Sequence, residues 1–478
     1  MNRRQTLDLF NRGLAKWNDW ADSLSLEKRQ LQNASEWVDG PSQTWNVPTR
    51  QWHEKAKVDF SGHVFDQPAD FSRFRFPGDA VFASAEFKSS ADFFETEFCE
   101  TADFAEASLS HTATFLGVTF RRHANFSFAS FDGPAAFTSV RFHRSVGFSH
   151  AIFNFDAEFD KTKFAADAGF IATTFSGRAV FHKSTCMGKA TFYVAAFADD
   201  AIIDNMVFCE RVSFDQATFK GPFVISHTSF EKVSSFATLS AKTLLLSDVD
   251  FKQLPDFSVA HFQEPPLFSQ VSLSPRRLNK TTETLPRQDF PHIWRSLRLL
   301  AIQGHDHQLE LQCLKGEITA RRGELDKPFH LRFWAGWLYQ IFSDFGRSMA
   351  LPLFWLIVSI GVFAGVYAGQ SPQYSHHSLA ASVPCASATG DARIAALTLS
   401  IHNAFPFAGI GSSGKLDQVY ACLYGTPSVD ASAANPTPIP LSPPIPDSVA
   451  FLGALQFLVS AVILFLLVLA IRNWFRIK

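Results

Sequence analysis

From Phe60 onward the apolar positions of this chain keep a fixed beat. Large aromatic residues fall at 60, 65, 71, 76, 82, 87, 93 and 98, in alternating steps of five and six. The steps resolve into two interleaved ladders of period 11. The first holds Phe60, Phe71, Phe82, Phe93, Phe104, Phe115, Phe126, Phe137, Phe148, Phe159, Phe170, Phe181 and Phe192, then Ile203, Phe214, Ile225 and Phe236. The second holds Phe65, Phe76, Phe87, Phe98, Phe120, Phe131, Phe142, Phe153, Phe164, Phe175 and Phe197, with Leu109 and Cys186 in two of its slots, and ends on Phe208, Phe219 and Phe230. Of these 33 slots, 29 are Phe. Neither a 3.6-residue helical period nor one long alternating strand writes this pattern. A stacked repeat does.

Two residues before many slots the chain is small: Ala69, Ala80, Ala91, Ala102, Ala113 and Ala124, then Ala157, Ala168, Ala179 and Ala190. The unit is A-x-F-x-x followed by A-x-F-x-x-x. A narrow coil suits it, with Phe filling the axis, Ala beside it, and Asp, Glu, Lys, Arg, Ser, Thr and His outside.

Over residues 58–251 these motifs resemble the pentapeptide-repeat family in its Phe-rich A-x-F form. The resemblance implies a mainly β fold, a right-handed quadrilateral β-helix in which four pentapeptides make one square coil. Two 11-residue units would then form a 22-residue coil with alternate corners enlarged by one residue. About eight coils are expected over 60–236, a rod on the order of 40 Å long. Each coil touches only its neighbours, so both ends need caps.

The flanks suggest those caps. Residues 3–36 read as helical, with Leu7, Phe10, Leu14, Trp17 and Trp20 on one stripe. The WNDW around Trp17 resembles the N-terminal helix of some family members. A connector follows at 40–54, while beyond the ladder Leu246 and Phe251 lead into a Pro-rich stretch at 254–288. Residues 291–323 predict two amphipathic helices broken at Gly304, with Trp294, Leu297 and Leu300 on one face. Residues 327–348 mix Phe, Trp and Tyr with Arg and Lys, the composition of a membrane interface. The phrase SDFGRS at 343–348 resembles the family's membrane-attached branch.

Two uncharged stretches, 350–368 and 449–471, are long enough to span a bilayer. Arg321, Arg322, Lys327, Arg332 and Arg347 precede the first span, and Arg472, Arg476 and Lys478 follow the second. Only Arg393 and Lys415 lie between. That asymmetry predicts a multi-pass protein of a bacterial inner membrane with both termini cytoplasmic. The expected organisation is a helical cap and connector at 1–54, a β-helix at 55–253, a linker with interfacial helices at 254–348, and a two-span anchor at 349–478. Its extracytoplasmic loop would run over 369–448. The start of the chain lacks the apolar core of a secretory signal.

Within that loop, residues 392–407 form a short amphipathic helix followed by GIGSSG. Span, short helix, glycine turn and span is also the plan of a two-helix cation-channel subunit, without the carbonyl-lined filter sequence such channels use.

Candidate chemistry is sparse. A formal net charge of −2 offers no basic field for nucleic acid. The six cysteines form no ligand-like spacing. Cys385 and Cys422 fall in the extracytoplasmic loop, where an oxidising compartment favours a disulfide. His111, His143, His150 and His182 sit at different offsets from the ladders and read as surface. His305 and His307 flank Asp306, a natural helix N-cap, and His376 and His377 lie in the loop. No Ser/His/Asp or Cys/His arrangement is legible, so no enzyme, cofactor or metal is expected. Asp59, Asp70, Asp92 and Asp103 precede ladder residues and face outward. An acidic stripe of this kind also suits a DNA mimic that binds a topoisomerase. Such mimicry ranks below a scaffold that presents a rigid surface to an unidentified protein partner beside the bilayer.

Overall fold

A computed structural model describes residues 1–40, 42–273, 291–324, 330–371, 392–405, 413–424 and 445–476. The chain forms two compact units, Met1–Glu324 and Leu325–Lys478.

The first unit is a parallel β-solenoid of about ten coils. The four sides of its first coil are Val58–Asp59, Val64–Phe65, Ala69–Asp70 and Arg75–Phe76. Each pairs in parallel with the residue 22 positions on: Val58 with Ala80, Phe65 with Phe87, Ala69 with Ala91, Phe76 with Phe98. The two ladders of the sequence therefore become four stacks, one per side. Rings within a stack lie nearly parallel at coil spacing, as in Phe71–Phe93 (5.0 Å) and Phe76–Phe98 (4.7 Å). Neighbouring stacks meet edge to face, as in Phe60–Phe71 at 5.5 Å and 79°. Both contacts suit the ring quadrupole. All 29 ladder phenylalanines are buried, as are the Ala residues beside them.

The two corner lengths have separate causes. Two residues after each first-ladder position the backbone turns through a positive φ, from Gly62, Arg73, Ser84 and Glu95 to Gln216, His227 and Thr238. Most of these residues are not glycine, and the left-handed conformation costs each of them roughly 1–2 kcal/mol. The side chain at the start of the turn offsets that cost. Asp59, Asp70, Asp92, Asp103 and Asn125 each accept a hydrogen bond from the amide two residues on, at 2.8–3.1 Å. Other corners hold three residues. Where Gly133 sits on one of them, an added Cβ would lie 2.4 Å from the His111 backbone.

The solenoid is longer than the sequence predicts. It reaches Leu273, and residues past 253 belong to it, with Leu267–Leu273 pairing on Leu245–Phe251. A register shift opposite Phe219–Pro222 shortens the next coil by one residue. Stacks across that coil stand 21 apart, as in Phe230–Phe251 (4.9 Å) and Phe236–Phe257 (4.5 Å), and the interval returns to 22 where Leu245 pairs with Leu267. The slip hides the last coils from an 11-residue count, which is why eight were expected.

Both ends are covered. The expected single N-terminal helix is two, α1 (Arg3–Phe10) and α2 (Leu14–Asn33), divided at Gly13 with φ +81°. Phe10 reaches Phe71 at 4.8 Å, and the Trp17 indole donates to the Arg75 carbonyl at 2.9 Å. The expected connector contains a third helix, α3 (Val47–Ala56), whose Trp52 donates to the Leu24 carbonyl at 2.8 Å. At the far end, α4 (Pro291–Gln303) and α5 (His307–Glu324) break where predicted, and Asp306 caps α5 through the amides of Gln308 and Leu309. These helices are a lid on the solenoid and belong with it. Ile293, Trp294, Leu297, Leu300 and Cys313 join the ladder's own core, and Gln312 donates to the Leu273 carbonyl at 3.2 Å. The buried Glu317 pairs with Arg295 at 3.1 Å and Arg298 at 2.9 Å.

The second unit is helical: α6 (Leu331–Ser343), α7 (Ala350–Gly369), α8 (Ala392–Ala404), α9 (Ser413–Tyr424) and α10 (Asp447–Arg476). α7 and α10 are long and apolar enough to cross a membrane. Between α6 and α7 the backbone passes through left-handed φ at Asp344, Phe345 and Gly346. Asn473 donates to the Gly346 carbonyl at 3.3 Å and fastens this turn to α10.

Candidate functional surfaces

The sides of the solenoid are built by its register, since residues 22 apart stand one above the other. Ion pairs follow that interval: Arg73–Glu95 (3.0 Å), Arg75–Glu97 (3.1 Å), Lys88–Asp66 (3.1 Å) and Arg122–Glu100 (3.5 Å). The carboxylates between 59 and 106 are therefore largely engaged with the fold. Asp59, Asp70, Asp92 and Asp103 hold corners, and most of the glutamates hold arginines one coil away.

One histidine set belongs to an arrangement the sequence reading missed. His182 Nδ1 lies 2.8 Å from Asp160 and its Nε2 3.4 Å from Asp204, the residues stacked below and above it. His227 Nδ1 lies 2.9 Å from the same Asp204, which also accepts from Ser226 at 2.6 Å. Burial pushes both aspartates up, but hydrogen bonds from Lys161 and His182 hold Asp160 below the usual carboxylate range, and those from Ser226 and His227 do the same for Asp204. The Asp204 hydrogen bond raises His227. The signal was the 22-residue spacing of 160, 182 and 204, visible only once the coil length is fixed. Among the described residues no group of three or more His, Cys, Asp or Glu is placed to hold a metal ion.

A second pattern, on a different side of the coil, is apolar. Phe128, His150 and Val194 occupy one left-handed corner column, and Ile171 and Tyr193 the adjacent one. Phe128 is 59% exposed and stacks on His150 at 4.7 Å and 4°. These are off-ladder residues, so the rule that buries Phe elsewhere leaves them outside.

In the second unit, polar side chains meet within the apolar helices. Gln456 of α10 donates to the Ser400 carbonyl at 2.8 Å and its hydroxyl at 2.7 Å, and accepts from Tyr367 of α7 at 2.9 Å. Ser400 donates to the Ile360 carbonyl at 2.8 Å, and Asn403 to the Tyr367 hydroxyl at 3.0 Å. Helix α8 is thus tied to both long helices. Ile360 lies nine residues inside the C-terminal end of α7, and Gln456 nine residues inside the N-terminal end of α10. At about 1.5 Å per residue, Ser400 sits roughly 13 Å from those ends.

Cys99, Cys186, Cys209 and Cys313 are free thiols. Burial pushes the Cys186 and Cys313 thiols up to about 12. Cys422 is disulfide-bonded. Its expected partner Cys385 lies outside the described residues, as do His376, His377 and most of GIGSSG. Comparison of the chain with models of known families, with characterised proteins and with solved structures finds no match.

Proposed function

We propose that this chain is a membrane-anchored, non-enzymatic repeat scaffold of the pentapeptide-repeat type, whose β-solenoid offers a rigid side to a protein partner at the cytoplasmic face of a bacterial inner membrane. The observation that carries the reading is the exposed strip of Phe128, His150, Ile171, Tyr193 and Val194. Contiguous apolar surface rimmed by polar residues marks interaction sites, and a solenoid side held by stacked rings presents such a strip with little ordering cost on binding. The distribution of Arg and Lys around the two spans supports cytoplasmic termini. Affinity capture of the detergent-solubilised full chain tests the reading: Phe128→Ser with Tyr193→Ser should release partners that the parent chain retains. Retention of the same partners by the variant sinks it. Thiol counting tests the topology. Under denaturation without reductant, four cysteines should react, and six after reduction. Six before reduction would argue against an oxidising compartment for the loop.

A second reading, a channel-like or channel-accessory subunit, is favoured by the hydrogen bonds of Ser400. With α7 and α10 across a bilayer core of about 30 Å, Ser400 lies near mid-depth. Polar backbone ends are tolerated there only against protein or water. Helix α8 is then a re-entrant segment rather than a surface helix. Cation currents across planar bilayers holding the purified chain, altered by Gln456→Leu, would establish this reading. Silent bilayers with folded protein would leave the scaffold alone.

A further inference from the structure

Beneath the N-terminal cap lies a cleft of about 330 Å³, walled on one side by Trp37, Trp45 and His53 and on the other by Asp79, Glu100 and Arg122. Its size is within the range of small-ligand sites. The aromatic wall is rigid: Trp45 and His53 stack at 3.8 Å and 3°, and Trp37 meets Trp52 edge to face at 5.2 Å. This wall already holds one cation, since Lys28 Nζ stands 4.5 Å from the Trp37 ring and 4.8 Å from that of Trp52.

The charges around the cleft do not cancel. Glu100 is shared by Lys28 at 2.6 Å and Arg122 at 3.5 Å. Asp79 spends one carboxylate oxygen on the Thr101 amide at 3.2 Å, and Asp39 one on the Trp37 indole at 3.0 Å. Three carboxylates thus face two cations. Burial lowers the basicity of His53, which disfavours a competing positive charge on the aromatic wall.

We infer that this cleft binds a guanidinium group, which would lie against the indole rings and donate hydrogen bonds to Asp79 and Asp39. The chemistry selects the ligand. A planar cation with several donors matches flat aromatic walls and carboxylate acceptors, whereas an anion would meet the excess carboxylate. An ammonium is a compact point charge and gains less from the stacked face. The guanidinium belongs either to free arginine or to an arginine side chain of another protein.

Isothermal titration of the full chain in detergent with methylguanidinium, methylammonium and acetate tests the class of ligand. Methylguanidinium should bind, acetate should not, and methylammonium should bind more weakly. Asp79→Asn keeps an acceptor for the Thr101 amide and should weaken binding about tenfold or more, the loss of one charge-assisted hydrogen bond. Asp39→Asn, at an exposed position, should weaken binding without any effect on folding. Acetate binding in place of methylguanidinium would overturn the inference, as would affinity unchanged in both variants. L-arginine and an arginine residue capped by amides at both ends then separate the sources. Tighter binding of the capped residue assigns the cleft to a protein partner, and tighter binding of L-arginine to the free amino acid.

Discussion

Phe137→Ala removes one ring from the middle of a stack, and the structure fixes what that should cost. The ring is fully buried. It lies between Phe115 at 4.7 Å and Phe159 at 4.9 Å, both nearly parallel to it, and meets Phe126, Phe131 and Phe148 edge to face at 5.4–5.9 Å. The neighbours cannot close the gap, because coil spacing is set by the backbone. Phe115 donates to the Ala136 carbonyl at 2.8 Å and Phe137 to that of Glu158 at 2.7 Å. Losing the side chain would leave Phe115 and Phe159 about 9.6 Å apart across an empty slot. Buried Phe→Ala changes cost about 3–5 kcal/mol, and poorly collapsing sites fall at the upper end. We therefore expect about 4–5 kcal/mol from chemical denaturation of a fragment covering 1–324, which retains both caps. Phe155→Ala supplies the control: that ring is 54% exposed and off the ladders, and its loss should stay within about 1 kcal/mol. Equal losses at the two sites would refute the burial argument. So would a Phe137→Ala cost near 1 kcal/mol, which would mean that the coils relax.

Three other perturbations probe separate parts of the chain. Cys186 is a small residue in a Phe stack, and one coil on the usual small-residue slot holds a buried Met206, while Met187 points outward. Cys186→Phe should then overpack by about 1–3 kcal/mol, and Cys186→Phe with Met206→Ala should recover most of it. Additive losses in that double-mutant cycle would show that Met206 does not fill the gap. Gly316 has the Trp294 ring 2.4 Å from where a Cβ would stand, so Gly316→Ala should loosen the C-terminal lid by about 1–3 kcal/mol and promote association through the uncovered last strand; an unchanged melting temperature would show that the lid can shift. The His–Asp column should give a pH signature. Asp160 and Asp204 are depressed, so their contribution is present above the ordinary carboxylate range and is lost as pH falls through their lowered values. His227 is raised, so its contribution is present below the ordinary imidazole range and is lost as pH rises through its raised value. The melting-temperature difference between parent and Asp204→Asn should peak between about pH 4.5 and 6.5, and a flat difference would dissociate the column from stability.

The linear order of the chain determines the ladder by itself. A side chain that must fill a narrow axis recurs at fixed intervals, so period, inward residues and both apolar spans are readable without coordinates. The Asp306 cap and the break at Gly304 are local effects and equally legible. Tertiary structure decides whatever depends on which residues stand one coil apart. A 22-residue stack makes Asp160, His182 and Asp204 neighbours, turns Glu95 and Glu97 into partners of Arg73 and Arg75, and gathers Phe128 and Tyr193 into one strip. The one-residue slip after Phe219 put the final coils out of phase with the count, so Leu267–Leu273 read as linker. The lid of α4 and α5 and the hydrogen bonds of Ser400 to both long helices were hidden for a related reason. An amphipathic stripe states that a helix has a partner but not which surface that partner is. Only packing chooses it, because burial of apolar area is non-directional and any sufficient surface would satisfy the sequence.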